Sequence, residues 1–301
     1  MVATIASFLR KRFVFTSPRD YVSQVWSDTT AALKRVARDR AALVTILLLI
    51  LPWWSLIFIR STTEWLGSFA AMIGTIFAFW WMSRSGSAPL PEVKKPRTEF
   101  LFAIALTGLW MLWRVGTCGK YFFFLSPEFQ CFGSLEFESL PKLIEQVVFP
   151  IAILFFTGYR WRAQGLDLNW RSWWIALPAL LAFVGYGVYA RSTDLPGFAR
   201  STGEYFLAAG LPEEVLFRAI LLTRLEAWLK NPGWALFAAS VIFGLTHLPI
   251  DYLFFTNRDW TETWISVLTF QMGFGAVFAF AYQRTRNIWA IALIHALVDA
   301  L

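Results

Sequence analysis

Long apolar runs, separated by short segments with charged residues, Pro or Gly, dominate the chain from residue 41 onward. Such runs predict transmembrane helices, because about 20 apolar residues cross the ~30 Å hydrocarbon core of a bilayer. The third and ninth runs, 100–113 and 287–301, are shorter than this, so each is predicted to be either a span or a partial, re-entrant helix. The predicted total is therefore about eight or nine spans. The candidate spans are 41–59, 66–82, 100–113, 143–159, 173–190, 204–223, 234–254, 264–282 and 287–301.

The fold class predicted from this pattern is an all-α, polytopic transmembrane bundle. Cytoplasmic loops are enriched in Lys and Arg, and the inner segments hold most of these residues if the N-terminus is cytoplasmic. The predicted orientation therefore places residues 1–40 in the cytoplasm, as a basic segment without the apolar core and cleavage site of a signal peptide. The basic residues of the outer loops are then Arg60, Arg114, Lys120, Lys142, Arg191, Arg200 and Arg258.

Composition supports a membrane environment and argues against nucleic acid as a partner. Hydrophobic residues make up 57% of the chain and charged residues 16%, outside the usual range of soluble domains. The mean hydropathy is +0.52. A net charge of +7 accompanied by 17 Trp and 30 Phe fits anchoring to lipid headgroups, since no basic stripe or nucleic-acid motif is present. The lipid bilayer is the predicted partner, and the oligomeric state is left open.

The two cysteines, Cys118 and Cys131, fall in one predicted outer loop. An oxidising compartment would permit a disulfide between them, and two unpaired thiols are the alternative. Two cysteines at this spacing do not suggest a zinc cluster.

Ionisable residues inside apolar spans are costly, so those that occur are candidates for a functional site. The sixth span contains Glu213, Glu214 and Arg218. Glu214 and Arg218 are i,i+4 neighbours and are predicted to pair, which would leave Glu213, about 100° around the helix, free for general-base work. Pro212 is predicted to start or kink the helix at this point.

Both histidines of the chain lie in predicted spans. His247 follows Phe243 by four residues, and His295 precedes Asp299 by four, so Asp299 shares a helix face with His295 and is able to orient it. A structural alternative is that His295 and Asp299 only satisfy each other. Counting ~1.5 Å per residue puts Glu213, both histidines and Asp299 roughly 10 to 18 Å from the outer boundary, so one cavity is able to hold them.

At these residues the chain resembles the CPBP (CAAX protease and bacteriocin-processing, or Abi-type) family of intramembrane proteases, and it is similar to type II CAAX prenyl endopeptidases. The family pattern is Glu-Glu-x-x-x-Arg, then Phe-x-x-x-His, then His-x-x-x-Asn or Asp, each on its own helix. The resemblance divides the chain into the cytoplasmic segment 1–40, accessory transmembrane helices at 41–203 and a catalytic core at 204–301. The matching residues are Glu213, Glu214 and Arg218, then Phe243 and His247, then His295 and Asp299.

The resemblance implies an intramembrane endopeptidase without a cofactor. Glu213 and His247 would activate a water for attack on the scissile carbonyl, and His295 and Asp299 would stabilise the oxyanion. Glu214, Arg218 and Phe243 would support the site. An Asp at position 299 donates a hydrogen bond only when protonated and otherwise acts by orienting His295, whereas the Asn found in other family members donates directly.

Several functions remain open at this point. The implied substrate is a membrane-anchored protein or peptide, and an active site in the outer half of a bacterial-type plasma membrane favours maturation of an exported protein near its C-terminal anchor. Prenyl-protein processing of the CAAX type is the alternative substrate. A zinc-dependent variant is the alternative mechanism, although no His-Glu-x-x-His pair is present and Arg218 opposes a cation. A non-catalytic immunity, scaffold or ion-carrying protein is the alternative class.

Overall fold

A computed structural model describes residues 88–118, 142–156 and 170–301, with isolated positions at 27, 77, 78, 81, 82 and 166. The chain divides into two compact units, Met1–Ile46 and Leu47–Leu301, and the helices below belong to the second. The described part is helical and contains no strand, which confirms the predicted all-α class for that part. The helices are α1 (Pro96–Cys118), α2 (Ile144–Phe156), α3 (Trp170–Ala190), α4 (195–229), α5 (Pro232–Ile250, continued by the π-helical turn Asp251–Phe255), α6 (Trp260–Thr285) and α7 (Ile288–Asp299).

Three of these helices are long and apolar enough to cross a bilayer: Ser172–Ala190, Pro232–Leu253 and Trp260–Thr285. Helix α7 has 12 residues, about 18 Å, and is short for a span, in keeping with the partial helix allowed for it. The predicted spans 41–59 and 66–82 fall almost wholly outside the described residues. The count of eight or nine spans and the cytoplasmic N-terminus stay predictions.

Helix α1 is longer than the run 100–113 that predicted it, with 23 residues. It begins at Pro96, whose missing N–H costs nothing in the first turn of a helix. The side chain of Glu99 reaches back and accepts a 2.7 Å hydrogen bond from the backbone N–H of Lys95, which caps the start. A start and a cap of this kind extend the helix beyond the uncharged run 100–113. Whether α1 is a span or a partial helix stays a prediction.

Helix α4 runs well beyond the predicted span 204–223. The charged residues that bound the apolar run are paired and so do not end the helix: Arg200 Nε is 2.8 Å from Glu204 Oε1, and Arg224 Nε is 3.2 Å from Glu99 Oε2 on α1. Two stretches within α4 are π-helical, a wider turn that is frequent at functional sites. The successive segments are Leu195–Tyr205 (α), Phe206–Gly210 (π), Leu211–Glu214 (α), Val215–Leu222 (π) and Thr223–Leu229 (α).

Helix α4 is the centre of the described bundle. Helix α7 packs against it and against α3, while α2 lies along its middle and α1 along its last segment. Helix α5 packs closely on α6 and also contacts α4. Each helix that carries a polar motif therefore touches α4, so their side chains are able to meet.

The distribution of polar and apolar side chains is that of a protein surrounded by a lipid bilayer. Large apolar residues lie on the outside, with Leu112 68% and Phe156 87% exposed, whereas Glu214 and Arg218 are buried. A soluble protein of this size rarely exposes contiguous apolar surface on this scale. The outward apolar faces and the charged interior both fit a bilayer as the solvent.

Gly210 sets the distance between α4 and α7. A Cβ at this position would lie 2.4 Å from the backbone carbonyl oxygen of Ala292 on α7, so only glycine permits this approach. Gly203, on the same helix, faces open space.

We expect Gly210→Ala to lower the free energy of unfolding by about 1–3 kcal/mol, because a methyl group against backbone forces the two helices apart. Gly203→Ala is the matched control and should leave stability unchanged or raise it by up to about 1 kcal/mol through helix propensity. Unfolding of both variants in detergent micelles provides the measurement. Equal stability of the two variants would contradict a close contact at Gly210.

Candidate active site

Glu213 is buried within the short α segment of α4 that lies between its two π-helical stretches. Pro212 precedes it inside the continuous helix, where proline removes one backbone hydrogen bond and crowds the preceding turn, and the wider π turns on both sides accommodate that crowding. Pro212 thus acts as an interruption within a helix rather than as its first residue. The side chain of Glu213 leaves the helix at this interruption, toward α2, α5 and α7.

The Glu213 carboxylate has two different oxygen environments. Oε1 accepts a 2.7 Å hydrogen bond from Nζ of Lys142, which lies two residues before α2 in the helical turn that leads into it. Oε2 is buried and accepts no hydrogen bond from any residue that the structure describes. The expectation that Glu213 would be left without a partner was wrong, since Lys142, which was assigned to an outer loop, reaches it across 71 positions of sequence.

Glu214 pairs with Arg218, as predicted, with 3.1 Å between Glu214 Oε1 and Arg218 Nη1. Arg218 also donates a 3.3 Å hydrogen bond through Nη2 to the carbonyl oxygen of Gly275 on α6. The same Oε1 of Glu214 lies 2.8 Å from Nδ1 of His295. Glu214 therefore does more than neutralise Arg218, because it also connects α4 to the histidine on α7.

His247 lies on α5 with its two ring nitrogens in separate roles. Nδ1 is 2.8 Å from the carbonyl oxygen of Phe243, one turn earlier, and donates to it because a carbonyl only accepts. Nε2 lies 3.8 Å from Glu213 Oε2. The backbone bond thus fixes the neutral ring as the tautomer whose Nε2 lone pair faces the carboxylate.

His295 is held just as firmly, on the opposite side of Glu213. With Nδ1 bonded to Glu214, its Nε2 faces inward, 3.9 Å from Glu213 Oε2 and 3.4 Å from Asp299 Oδ2. Its ring stacks on Phe278 with 4.6 Å between centroids. The i,i+4 relation of His295 and Asp299 gives the proximity predicted from the sequence.

Phe243 is the aromatic residue that the polar groups share. Its ring centroid lies 4.6 Å from that of His247 and 6.2 Å from that of His295. The guanidinium carbon of Arg218 sits 4.4 Å from the same centroid, within cation–π range. A phenylalanine here packs both histidines and Arg218 against one apolar surface.

The structure thus brings all four predicted reacting residues together from three helices. The catalytic roles of these residues stay predictions. The disulfide between Cys118 and Cys131 also stays a prediction, because Cys131 lies outside the described residues. The sequence did not predict the contact of Lys142 with Glu213. The one signal for it was that Lys142 directly precedes the fourth apolar run, 143–159. Sequence reasoning also missed Gln146, which is buried one turn further along α2.

The donor set of the site suits a metal ion poorly. In the part of the chain that the structure describes, no group of three or more His, Cys, Asp and Glu side chains is arranged to hold one. Two cations, Lys142 on Glu213 and Arg218 on Glu214, already accompany the carboxylates at 2.7 and 3.1 Å. A divalent ion between the histidines and Glu213 would lie close to both of these positive charges.

Comparison with known proteins identifies one family. Residues 154–301 match the model of the family described as type II CAAX prenyl endopeptidase Rce1-like. Searches of curated proteins and of solved structures found no match. The matched range includes Glu213, Glu214, His247, His295 and Asp299, and it begins some fifty positions before the predicted core 204–301, while Lys142 and Gln146 precede it.

The family assignment agrees with the apolar helices in making this an integral membrane protein, and it suggests a hydrolase that acts on protein substrates. Over residues 154–301, this chain is similar to the Rce1-like type II CAAX prenyl endopeptidase family.

Proposed function

We propose that this protein is an intramembrane endopeptidase that hydrolyses a peptide bond of a membrane-anchored protein by means of water activated by Glu213 and His247. The observation that carries the proposal is the arrangement around Glu213 Oε2, which accepts no hydrogen bond from the described residues and faces Nε2 of His247 at 3.8 Å and Nε2 of His295 at 3.9 Å. Groups at these separations can share one water molecule, which would bridge the carboxylate and an imidazole.

Glu213 is the general base in this mechanism. It takes a proton from the water as the oxygen attacks the scissile carbonyl carbon, and the same proton then passes to the leaving amine. Lys142 holds Oε1, so Oε2 is the oxygen that accepts the proton. The neutral ring of His247 accepts a second hydrogen bond from the water through Nε2 and orients its lone pair toward the carbonyl.

His295 is the proposed oxyanion partner. Its Nε2 donates to the tetrahedral oxyanion when the ring is an imidazolium, and the Glu214 carboxylate on Nδ1 stabilises that cation. Asp299, 3.4 Å from Nε2, acts in its ionised form by orienting the ring and adding negative charge beside it. This assigns Asp299 a positioning role, where an Asn would donate directly.

Two peptides would test the activity in proteoliposomes. The anchored probe is an internally quenched peptide with a C-terminal transmembrane segment. The prenyl probe is an internally quenched, farnesylated CAAX peptide. We propose maturation of an exported protein near its anchor in the outer half of a bacterial-type plasma membrane, so the anchored probe should be cleaved faster. The family match favours the prenyl probe as the second candidate.

We expect His247→Ala to lower kcat for the cleaved probe about 10²-fold or more, because the water loses one of its two orienting partners. A zinc chelator should leave the wild-type rate unchanged. Mass spectrometry of the products and the initial rate at matched protein abundance supply the measurement. Inhibition by the chelator that added zinc reverses would instead support the metal-dependent alternative.

A further inference from the structure

Gln146 on α2 is a buried amide that has no hydrogen-bond partner in the described part of the chain. Its exposed fraction is 1%. Neither the amide nitrogen Nε2 nor the amide oxygen Oε1 forms a hydrogen bond with any group of residues 88–118, 142–156 or 170–301. Buried amides are almost always bonded, since desolvating both a donor and an acceptor costs free energy that folding does not recover. An exception of this kind calls for a partner beyond the described residues, and a bound substrate is such a partner.

The position of Gln146 places it beside the reacting groups. It lies four residues after Lys142, whose Nζ bonds to Glu213, so the two side chains leave α2 on about the same face. The segment that carries Gln146, Ile144–Val148, packs against the segment of α4 that holds Glu213 and against the π-helical stretch that follows it. Ile144 and Val148, on the other side of α2, are exposed. The amide thus points toward α4, about one helical turn or ~6 Å along α2 from the lysine.

The chemistry of a primary amide matches that of a peptide backbone. A glutamine offers one N–H donor and one carbonyl acceptor side by side, and an extended peptide offers the complementary carbonyl and N–H. An extended chain advances ~3.3 Å per residue, so ~6 Å corresponds to about two residues. A substrate whose scissile carbonyl meets Glu213 would therefore pass Gln146 about two residues away.

We propose that Gln146 binds the substrate backbone about two residues from the scissile bond, with Oε1 accepting from a peptide N–H and Nε2 donating to a peptide carbonyl. This inference rests on the proposed protease function and deepens it, because it assigns a substrate-binding residue outside the segment 154–301 that carries the family match. A buried glutamine with no role in substrate binding, bridged by water, is the alternative that the experiment separates.

The test compares Gln146→Met with Gln283→Met. Gln283 is also buried, but its Nε2 donates a 2.9 Å hydrogen bond to the carbonyl oxygen of Pro232. We expect Gln146→Met to lower kcat/KM for the better cleaved probe about tenfold while its Tm stays equal to wild type or rises, because no protein hydrogen bond is lost. Gln283→Met should lower Tm because it removes the 2.9 Å hydrogen bond of a buried amide to Pro232.

A scan of the probe backbone adds a readout that a purely structural role would not change. Replacing one amide at a time with an ester removes one N–H donor. Wild-type protein should show about a tenfold loss at one position within two or three residues of the cleaved bond, and Gln146→Met should show no further loss at that position.

Two results would overturn the inference in distinguishable ways. If cleavage depends on Glu213 but Gln146→Met keeps full kcat/KM, or keeps the ester sensitivity of wild type, Gln146 does not bind substrate and the proposed function stands. If neither probe is cleaved in a Glu213-dependent manner, the proposed function fails first and this inference fails with it.

Discussion

Replacing Glu213 with Gln is expected to lower the cleavage rate of the anchored probe about 10³-fold. An amide oxygen at this position still accepts a hydrogen bond from Lys142, so the 2.7 Å contact is retained. It has no basic oxygen to take a proton from water, and general-base catalysis of this kind contributes about 10² to 10⁴ in rate. Initial rates in proteoliposomes at matched abundance measure the effect.

Glu204→Gln on the same helix is the matched control. Glu204 is paired with Arg200, whose side chain is 74% exposed, and it lies outside the cluster around the histidines. This variant should cleave at the wild-type rate within about a factor of two, since exposed pairs contribute little. Equal activity in Glu213→Gln and Glu204→Gln would remove Glu213 from the mechanism and favour a non-catalytic or ion-carrying function.

Replacing Arg218 with Met is expected to give the largest loss of stability, about 3–5 kcal/mol in free energy of unfolding. Arg218 is 1% exposed, and its guanidinium pairs with Glu214, donates to Gly275 and lies over Phe243. Methionine fills much of the same volume but leaves the Glu214 carboxylate buried without its cation, which is the costly part of breaking a buried pair. Denaturant titration in mixed micelles measures the change.

The double variant Arg218→Met with Glu214→Gln separates lost charge pairing from lost packing. Removing both charges should recover a large part of the stability, because the uncompensated carboxylate is gone. Arg200→Met, at a mostly exposed arginine, is the control and should change stability by less than about 1 kcal/mol. A double variant no more stable than Arg218→Met alone would show that the aromatic and backbone contacts of Arg218, rather than its charge, hold the helices.

The sequence by itself determined the local pairs of the site and the helices that carry them. Glu214 with Arg218 and His295 with Asp299 are four residues apart, and an α-helix or a slightly widened turn keeps such neighbours on one face. Helix ends were predicted less well. Charges at Glu204 and Arg224 looked like boundaries in the apolar pattern, but each has a partner, and a paired charge does not end a helix.

Only the tertiary structure decided which oxygen of Glu213 bonds to Lys142 and which is left without a hydrogen bond among the described residues. Lys142 lies 71 positions before Glu213, which it contacts, and His295 lies 81 positions after its partner Glu214. No spacing rule predicts contacts over such sequence separations. The sequence likewise does not show that the amide of Gln146 is buried without a hydrogen bond to the described residues. Periodicity fixes the face of a helix, whereas helix packing, here set by the contact between Gly210 and the backbone of α7, fixes which faces meet.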